Sequence, residues 1–253
     1  QWPSHLQKTD ESRIQSNPGV LKDIAGKPFY ASVKMDGSSM TASREINGKF
    51  HVCSRNFGLK EFLSVPKYKL THFTRTPLNK GIIRFLRTFV LSLWHNIINK
   101  IKLWVGGVIE TPTESNFWKV AHKYNLKNIP PGVTVQGELC GPGIQKNLLN
   151  LKEHEFYVFN VIENGKRLSY KDTVKFCDNL NLKMVPVFMI NETGEFEHSQ
   201  EKWLKMAEGL YEGTKNQREG LVIRTLEPEY SLALKGPLSF KAISNKYLLK
   251  NED

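Results

Sequence analysis

"VKMDGSS", residues 33–39, places Lys34 two residues ahead of an Asp-Gly pair, Asp36 and Gly37, with hydroxyl side chains behind it. The residues just before, "KPFYASV", alternate as a strand does. Asp-Gly is a strong short turn signal, so a hairpin with an exposed lysine accounts for these residues equally well. Composition alone would produce Lys-x-Asp-Gly in roughly one chain in twenty of this length. The stretch therefore acquires meaning only from what accompanies it.

Further strand-like runs follow: "SMTAS", "KFHVCS", "VTVQGEL", "EFYVFNVI", "EGLVIRT" and "LSFKAI", with hairpin turns predicted at Asn47-Gly48 and Asn164-Gly165. Apolar residues at helical spacing mark "ESNFWKVAHKYNL", "KDTVKFCDNLNL" and "SQEKWLKMAEGLYEG". In the last of these, Trp203, Met206, Ala207 and Leu210 fall on one helical face. "KTDESRIQ" has the form of a helix start, with Thr9 or Asp10 as cap and "SNPGV" as its end. Strands joined by hairpins, with helices between them, predict an α+β fold built on antiparallel sheets flanked by helices. Strict βαβ alternation and a G-x-G-x-x-G string are both missing, which argues against a Rossmann reading.

The 253 residues suffice for one large domain or two small ones. Lysines and arginines number 36 against 25 acidic residues, a net charge of +11 that favours a polyanionic partner such as nucleic acid, nucleotide phosphate or an anionic membrane surface. Cys53, Cys140 and Cys177 are widely spaced, which argues against a zinc knuckle or disulfide framework and suits a reducing, intracellular compartment. The chain opens on Gln1, without a signal peptide, and is read as a piece of a longer protein. Residues 66–109 contain no acidic residue, and their apolar stretch from Phe89 to Ile98 is too short to span a bilayer. A helix packed on its own domain, a nucleic-acid contact and a membrane surface are the alternatives for this segment.

Charge recurs inside strands that otherwise look buried. Glu138 lies late in "VTVQGELC", Glu219 opens "EGLVIR", and Lys241 sits within "LSFKAI". An unpaired buried charge is costly, so these groups are expected to meet Lys34 at one polar site around a phosphate and a metal.

Taken in order, K34-x-D-G, S-R-N at 54–56, G-E-L at 137–139, Y-V-F-N at 157–160, E-G-L-V-I-R at 219–224 and F-K-A at 240–242 resemble the covalent nucleotidyltransferases, the polynucleotide ligases and mRNA capping enzymes. Within these the chain looks most like the ATP-dependent RNA ligases that join 3′-hydroxyl and 5′-phosphate ends, in the branch with an N-terminal OB-type domain. The resemblance implies the ligase/capping-enzyme nucleotidyltransferase fold (ATP-grasp-like) over residues 1–253, with an insertion at about 66–109 and an OB-type domain upstream. A helical flap over the nucleic-acid face is expected for the insertion, with translated non-coding sequence as the rival.

The resemblance also implies roles. Lys34 would attack the α-phosphorus of ATP and retain AMP, Lys241 would neutralise charge building on that phosphate, and Glu219 with Asp36 would hold Mg²⁺ or Mn²⁺ largely through water. Glu138 would accept from the ribose hydroxyls, Phe159 would stack on adenine, and Arg55 would hold the ribose or an incoming 5′-phosphate. Gly37 would supply the tight backbone beside the nucleophile. The last family motif often carries two lysines one residue apart; here Ile243 takes the second place, leaving Lys246 or Lys235 to compensate. The expected partner is RNA bearing a 5′-phosphate and a 3′-hydroxyl, engaged by a monomer without stable membrane association. A GTP-using capping enzyme, a DNA ligase and a catalytically idle nucleic-acid-binding domain stay open as alternatives.

Overall fold

A computed structural model of the chain describes residues 2–4, 6–63 and 113–251. The chain divides into two compact units, Gln1–Glu61 with Asn116–Asp253, and Phe62–Ser115. With strands numbered in chain order, the second unit contributes an antiparallel pair, β6 (Phe62–Leu63) and β7 (Thr113–Glu114). The basic segment 66–109 and the flap expected of it lie outside the described residues. Among the described residues no helix is long and apolar enough to cross a membrane.

The first unit is built on two sheets. One has five strands in the order β1 (Ser12–Arg13), β16 (Ser239–Ile243), β13 (Gly220–Thr225), β2 (Phe29–Lys34) and β12 (Val187–Asn191). All its pairings are antiparallel except the parallel union of β1 with β16. The other runs β10 (Lys166–Arg167), β9 (Glu155–Glu163), β8 (Val133–Cys140), β3 (Ser38–Arg44), β4 (Phe50–Cys53) and β5 (Gly58–Leu59), with β11 (Lys183–Met184) parallel to β9. A small ribbon joins β14 (Tyr230–Ser231) to β15 (Gly236–Pro237). The helices are α1 (Val20–Ile24), α2 (Asn116–Lys123), α3 (Tyr170–Asn179), α4 (Gln200–Ala207) and α5 (Asn245–Asn251).

Side-chain alternation explains how charge enters these strands. Successive residues of a strand face opposite sides of its sheet. In the five-stranded sheet Phe29, Ala31, Leu221, Ile223, Phe240 and Ala242 pack with Ile24 of α1 and Trp203 and Ala207 of α4 in one core. Fully buried phenylalanines such as Phe29 and Phe240 contribute about 2–3 kcal/mol each. Their strand neighbours Ser32, Lys34, Val222, Arg224 and Lys241 line a cavity on the opposite side. The seven-stranded sheet is built likewise: Val133, Val135, Leu139, Phe156, Val158 and Val161 share a core with Trp118 of α2 and Cys177 of α3.

Two expectations of local structure are corrected. Residues 7–13 form no helix. Thr9, Asp10 and Glu11, read as cap and first turn, spend their side chains on Ser39, Arg55 and Arg224, while Ser12 and Arg13 pair with β16. The helix expected over residues 199–213 ends at Ala207, where the cap residue Glu208 turns extended and Gly209 follows at φ +141°. Leu210 is consequently half exposed, away from the face formed by Trp203 and Ala207.

Candidate active site

Lys34 is the last residue of β2, directly across from Gly220 at the start of β13. That register sets Glu219 at the same end of the sheet, where Lys34 Nζ donates to Glu219 Oε2 at 2.8 Å. Lys241 enters from β16, one strand further, in register with Val222. Burial, then the positive charge of Lys34, holds the Lys241 ammonium below its ordinary pKa. Arg13, opposite Lys241 in the parallel β1–β16 pair, brings a further cation to the cavity.

The seven-stranded sheet supplies the facing wall. Glu138 of β8 pairs with Ser39 of β3, just past Gly37. A Cβ on Gly37 would lie 2.6 Å from the Leu139 carbonyl oxygen and 2.7 Å from Glu138 Cγ, so only glycine allows this approach. The Glu138 carboxyl opens onto the cavity yet lies deep beneath surrounding protein. Burial pushes it up to about 7, with Lys34 opposing and Glu219 and Asp36 reinforcing the rise. Asp36 is buried as well. Desolvation raises its carboxyl, against the N–H of Leu148 3.5 Å from Oδ2.

Phe159 reaches the cavity through a β-bulge. Gln136 pairs with Asn160 but Gly137 pairs with Val158, leaving Phe159 as the extra residue. The bulge also changes the strand's phase, so that the core face passes from Phe156 and Val158 to Val161. The Arg224 guanidinium lies 5.4 Å from the Phe159 ring centroid and pairs with Glu11 at 2.7 Å. Burial disfavours that cation, but Glu11 and Tyr30 outweigh it and raise the Arg224 pKa.

Lys34, Asp36, Gly37, Arg55, Glu138, Phe159, Glu219 and Lys241 thus all line one cavity of about 460 Å³. Arg55 sits at its exposed rim, paired with Asp10. Lys246 is not brought to it: as the second residue of α5, it pairs its ammonium with Glu208 at 2.7 Å. Lys235 is not a lining residue either, whereas Tyr247 is. Sequence reasoning missed Arg13 and the Glu11–Arg224 pair, because residues 8–15 read as a helix start, whereas Arg13 is brought here by pairing with β16 and Glu11 by Arg224.

The cavity fits a nucleotide in size and chemistry. Phe159, Val33, Val185 and Val222 supply apolar lining for a base, and Lys34, Lys241, Arg13 and Arg55 supply charge for phosphates. Among the described residues no cluster of three or more His, Cys, Asp or Glu side chains is placed to hold a metal ion by itself. Asp36 and Glu219 fit an ion that keeps waters and phosphate oxygens in its shell.

A fold of two facing antiparallel sheets with a lysine-centred nucleotide cavity is that of the nucleotidyltransferases, and the known proteins narrow it further. The RNA ligase family matches residues 27–243, and the chain belongs to that family. Among solved structures, Naegleria gruberi RNA ligase with PPi superposes with a TM-score of 0.69 at 26% identity, covering 100% of this chain and 60% of that one. Variants of the same ligase, one with ATP and Mn and another with AMP and Mn, give the same TM-score, identity and coverage. The chain therefore spans about 60% of the length of these relatives. No curated protein matches the sequence.

Proposed function

We propose that this chain is the nucleotidyltransferase domain of an ATP-dependent RNA ligase that works through a lysyl-AMP intermediate. The observation that carries the reading is Lys34 held 2.8 Å from Glu219 on the floor of a cavity that Lys241 and Phe159 also line. In the first step the neutral Lys34 amine attacks the α-phosphorus of ATP. A P–N bond forms, the bond to pyrophosphate breaks, and the amine proton is lost. A 5′-phosphate oxygen of RNA then displaces Lys34 from AMP, leaving a 5′–5′ pyrophosphate link. The 3′-hydroxyl of the second strand finally attacks the RNA phosphorus, and AMP leaves.

The chain's own groups have defined tasks here. Lys241, with Arg13, neutralises charge on the phosphates as it builds. Phe159 and the valines hold the base, and Glu138 orients the ribose hydroxyls. Arg55, once released from Asp10, holds the RNA 5′-phosphate. A divalent ion bound near Asp36 and Glu219, Mg²⁺ or Mn²⁺, supplies further charge compensation. The proposal includes RNA with 5′-phosphate and 3′-hydroxyl ends as substrate, a monomeric state, an OB-type domain as partner, and a reducing intracellular setting. The net charge of +11 supports the first, and three free buried cysteines support the last.

The test is incubation with labelled ATP or labelled GTP and a divalent ion, followed by a denaturing gel, with Lys34→Ala alongside. Covalent label from ATP alone, absent in the variant, is the expected result. Label from GTP would move the chain to cap synthesis, and label surviving in Lys34→Ala would overturn the assignment of the nucleophile.

A further inference from the structure

Residues 209–218 leave α4 and return to β13 as a closed turn that does not line the nucleotide cavity. Arg218 fastens it by donating to the Ala207 carbonyl at 3.1 Å and the Glu208 carbonyl at 2.9 Å, at the end of α4. Tyr211 sits inside the turn and is 3% exposed. Its N–H donates to the Asn216 carbonyl at 2.9 Å, and its own carbonyl accepts from Thr214 Oγ1 at 2.9 Å. The ring is thereby aimed at the junction of β2 and β13. There the Tyr211 hydroxyl donates to the Lys34 carbonyl at 2.9 Å and accepts from the Glu219 N–H at 3.2 Å.

One oxygen atom thus joins the main chain of the nucleophile to the main chain of its carboxylate partner, using the hydroxyl both as donor and as acceptor. Burial holds the phenol protonated, so its donor is always available. The same turn reaches Asp36: Asn216 Nδ2 donates to the Leu148 carbonyl at 2.7 Å, and the Leu148 N–H faces Asp36 Oδ2 at 3.5 Å. A turn of ten residues therefore touches the backbone or neighbours of Lys34, Asp36 and Glu219, although it reaches none of their reacting atoms.

We infer that Tyr211 is a positioning residue, whose hydroxyl fixes the Lys34 backbone against that of Glu219 so that the amine is presented for attack. The inference rests on Lys34 adenylylation as proposed above. Such a group acts on the step in which Lys34 is the nucleophile. It has little to contribute once AMP sits on RNA, because Lys34 forms and breaks no bond in the final joining.

The experiment compares wild type, Tyr211→Phe and Thr214→Val, the last of which loosens the turn without touching the phenol. Three quantities are read on each preparation: single-turnover Lys34 adenylylation against ATP concentration, joining of a pre-adenylated RNA strand, and amide exchange at Glu219. Loss of one hydrogen bond at the nucleophile should slow adenylylation about tenfold in Tyr211→Phe, with half-saturating ATP within about twofold. Joining of the pre-adenylated strand should fall by less than about twofold, and Glu219 exchange should quicken about tenfold. Thr214→Val should show the same pattern more weakly. Equal loss of both reactions would mean mere destabilisation and would overturn the inference, as would unchanged adenylylation or unchanged Glu219 exchange in Tyr211→Phe. Wild type that takes no label while exchange responds as expected would defeat the proposed reaction and leave the backbone bridge standing.

Discussion

Glu138 and Glu155 lie two rungs apart on neighbouring strands and the same face of one sheet, opposite Tyr157 and Cys140 respectively. Their surroundings drive them in opposite directions. Burial works against the charge of Glu155, yet hydrogen bonds from Lys183 at 2.8 Å, Tyr124, and Lys123 at 3.1 Å outweigh it and hold the group at about 2. Among the described residues no such ring of donors surrounds Glu138. Burial dominates, with Lys34 the leading opposition, and raises it to about 7. A carboxylate whose donors all come from its own fold serves stability. One left short of donors inside a cavity is free to accept from a ligand, as a ribose-binding role requires.

The contrast can be broken in several ways. The largest effect is expected from Glu219→Ala, which removes the only charged partner within 4 Å of Lys34 among the described residues. Covalent labelling from ATP should fall by about a hundredfold or more, with thermal stability little changed. A rate near wild type would detach the Lys34–Glu219 contact from the chemistry. Glu155→Ala should do the reverse, costing about 2 kcal/mol in denaturant unfolding because two lysines and a phenol lose their acceptor. Labelling per folded molecule should stay unchanged, and a specific loss would move Glu155 into the site.

The smallest effect is the pH dependence of ligand-free stability. Glu138 binds its proton more tightly folded than unfolded, so between about 4.5 and about 7 its ionisation should weaken the fold as pH rises. Glu155 binds its proton less tightly folded, so the stability it supplies is complete above about 4.5 and is lost as pH falls towards about 2. Urea titrations across this range should show Glu138→Gln removing the decline at the upper end alone. An identical profile in that variant would mean that Glu138 does not titrate as its burial requires.

Much of this arrangement could be read from the residues. The charges of Lys34, Glu219 and Lys241 stood out because they interrupt apolar strands, and alternation explains them: one sheet face is core and the other is cavity wall. What escaped depends on partners remote in sequence. Arg13 and Glu11 look like the start of a helix until β16, more than 200 residues later, supplies a strand for Ser12 and Arg13 to join, and Arg224 a partner for Glu11. The bulge at Phe159 shifts the phase of β9 without any glycine or proline in "EFYVFNVI" to announce it. Tyr211 fell on the tail of a helical pattern, but the chain leaves that helix at the extended Glu208 and turns at Gly209, which carries the phenol towards Lys34. Lys246 sat at a promising distance from the last motif, but α5 carries it away to Glu208.

The most direct test of the central claim is mass spectrometry of the peptide that carries residues 33–39, after incubation with ATP and a divalent ion. The account predicts an AMP adduct on Lys34, released by acid and by added pyrophosphate. An adduct on Lys241 or any other side chain would contradict it.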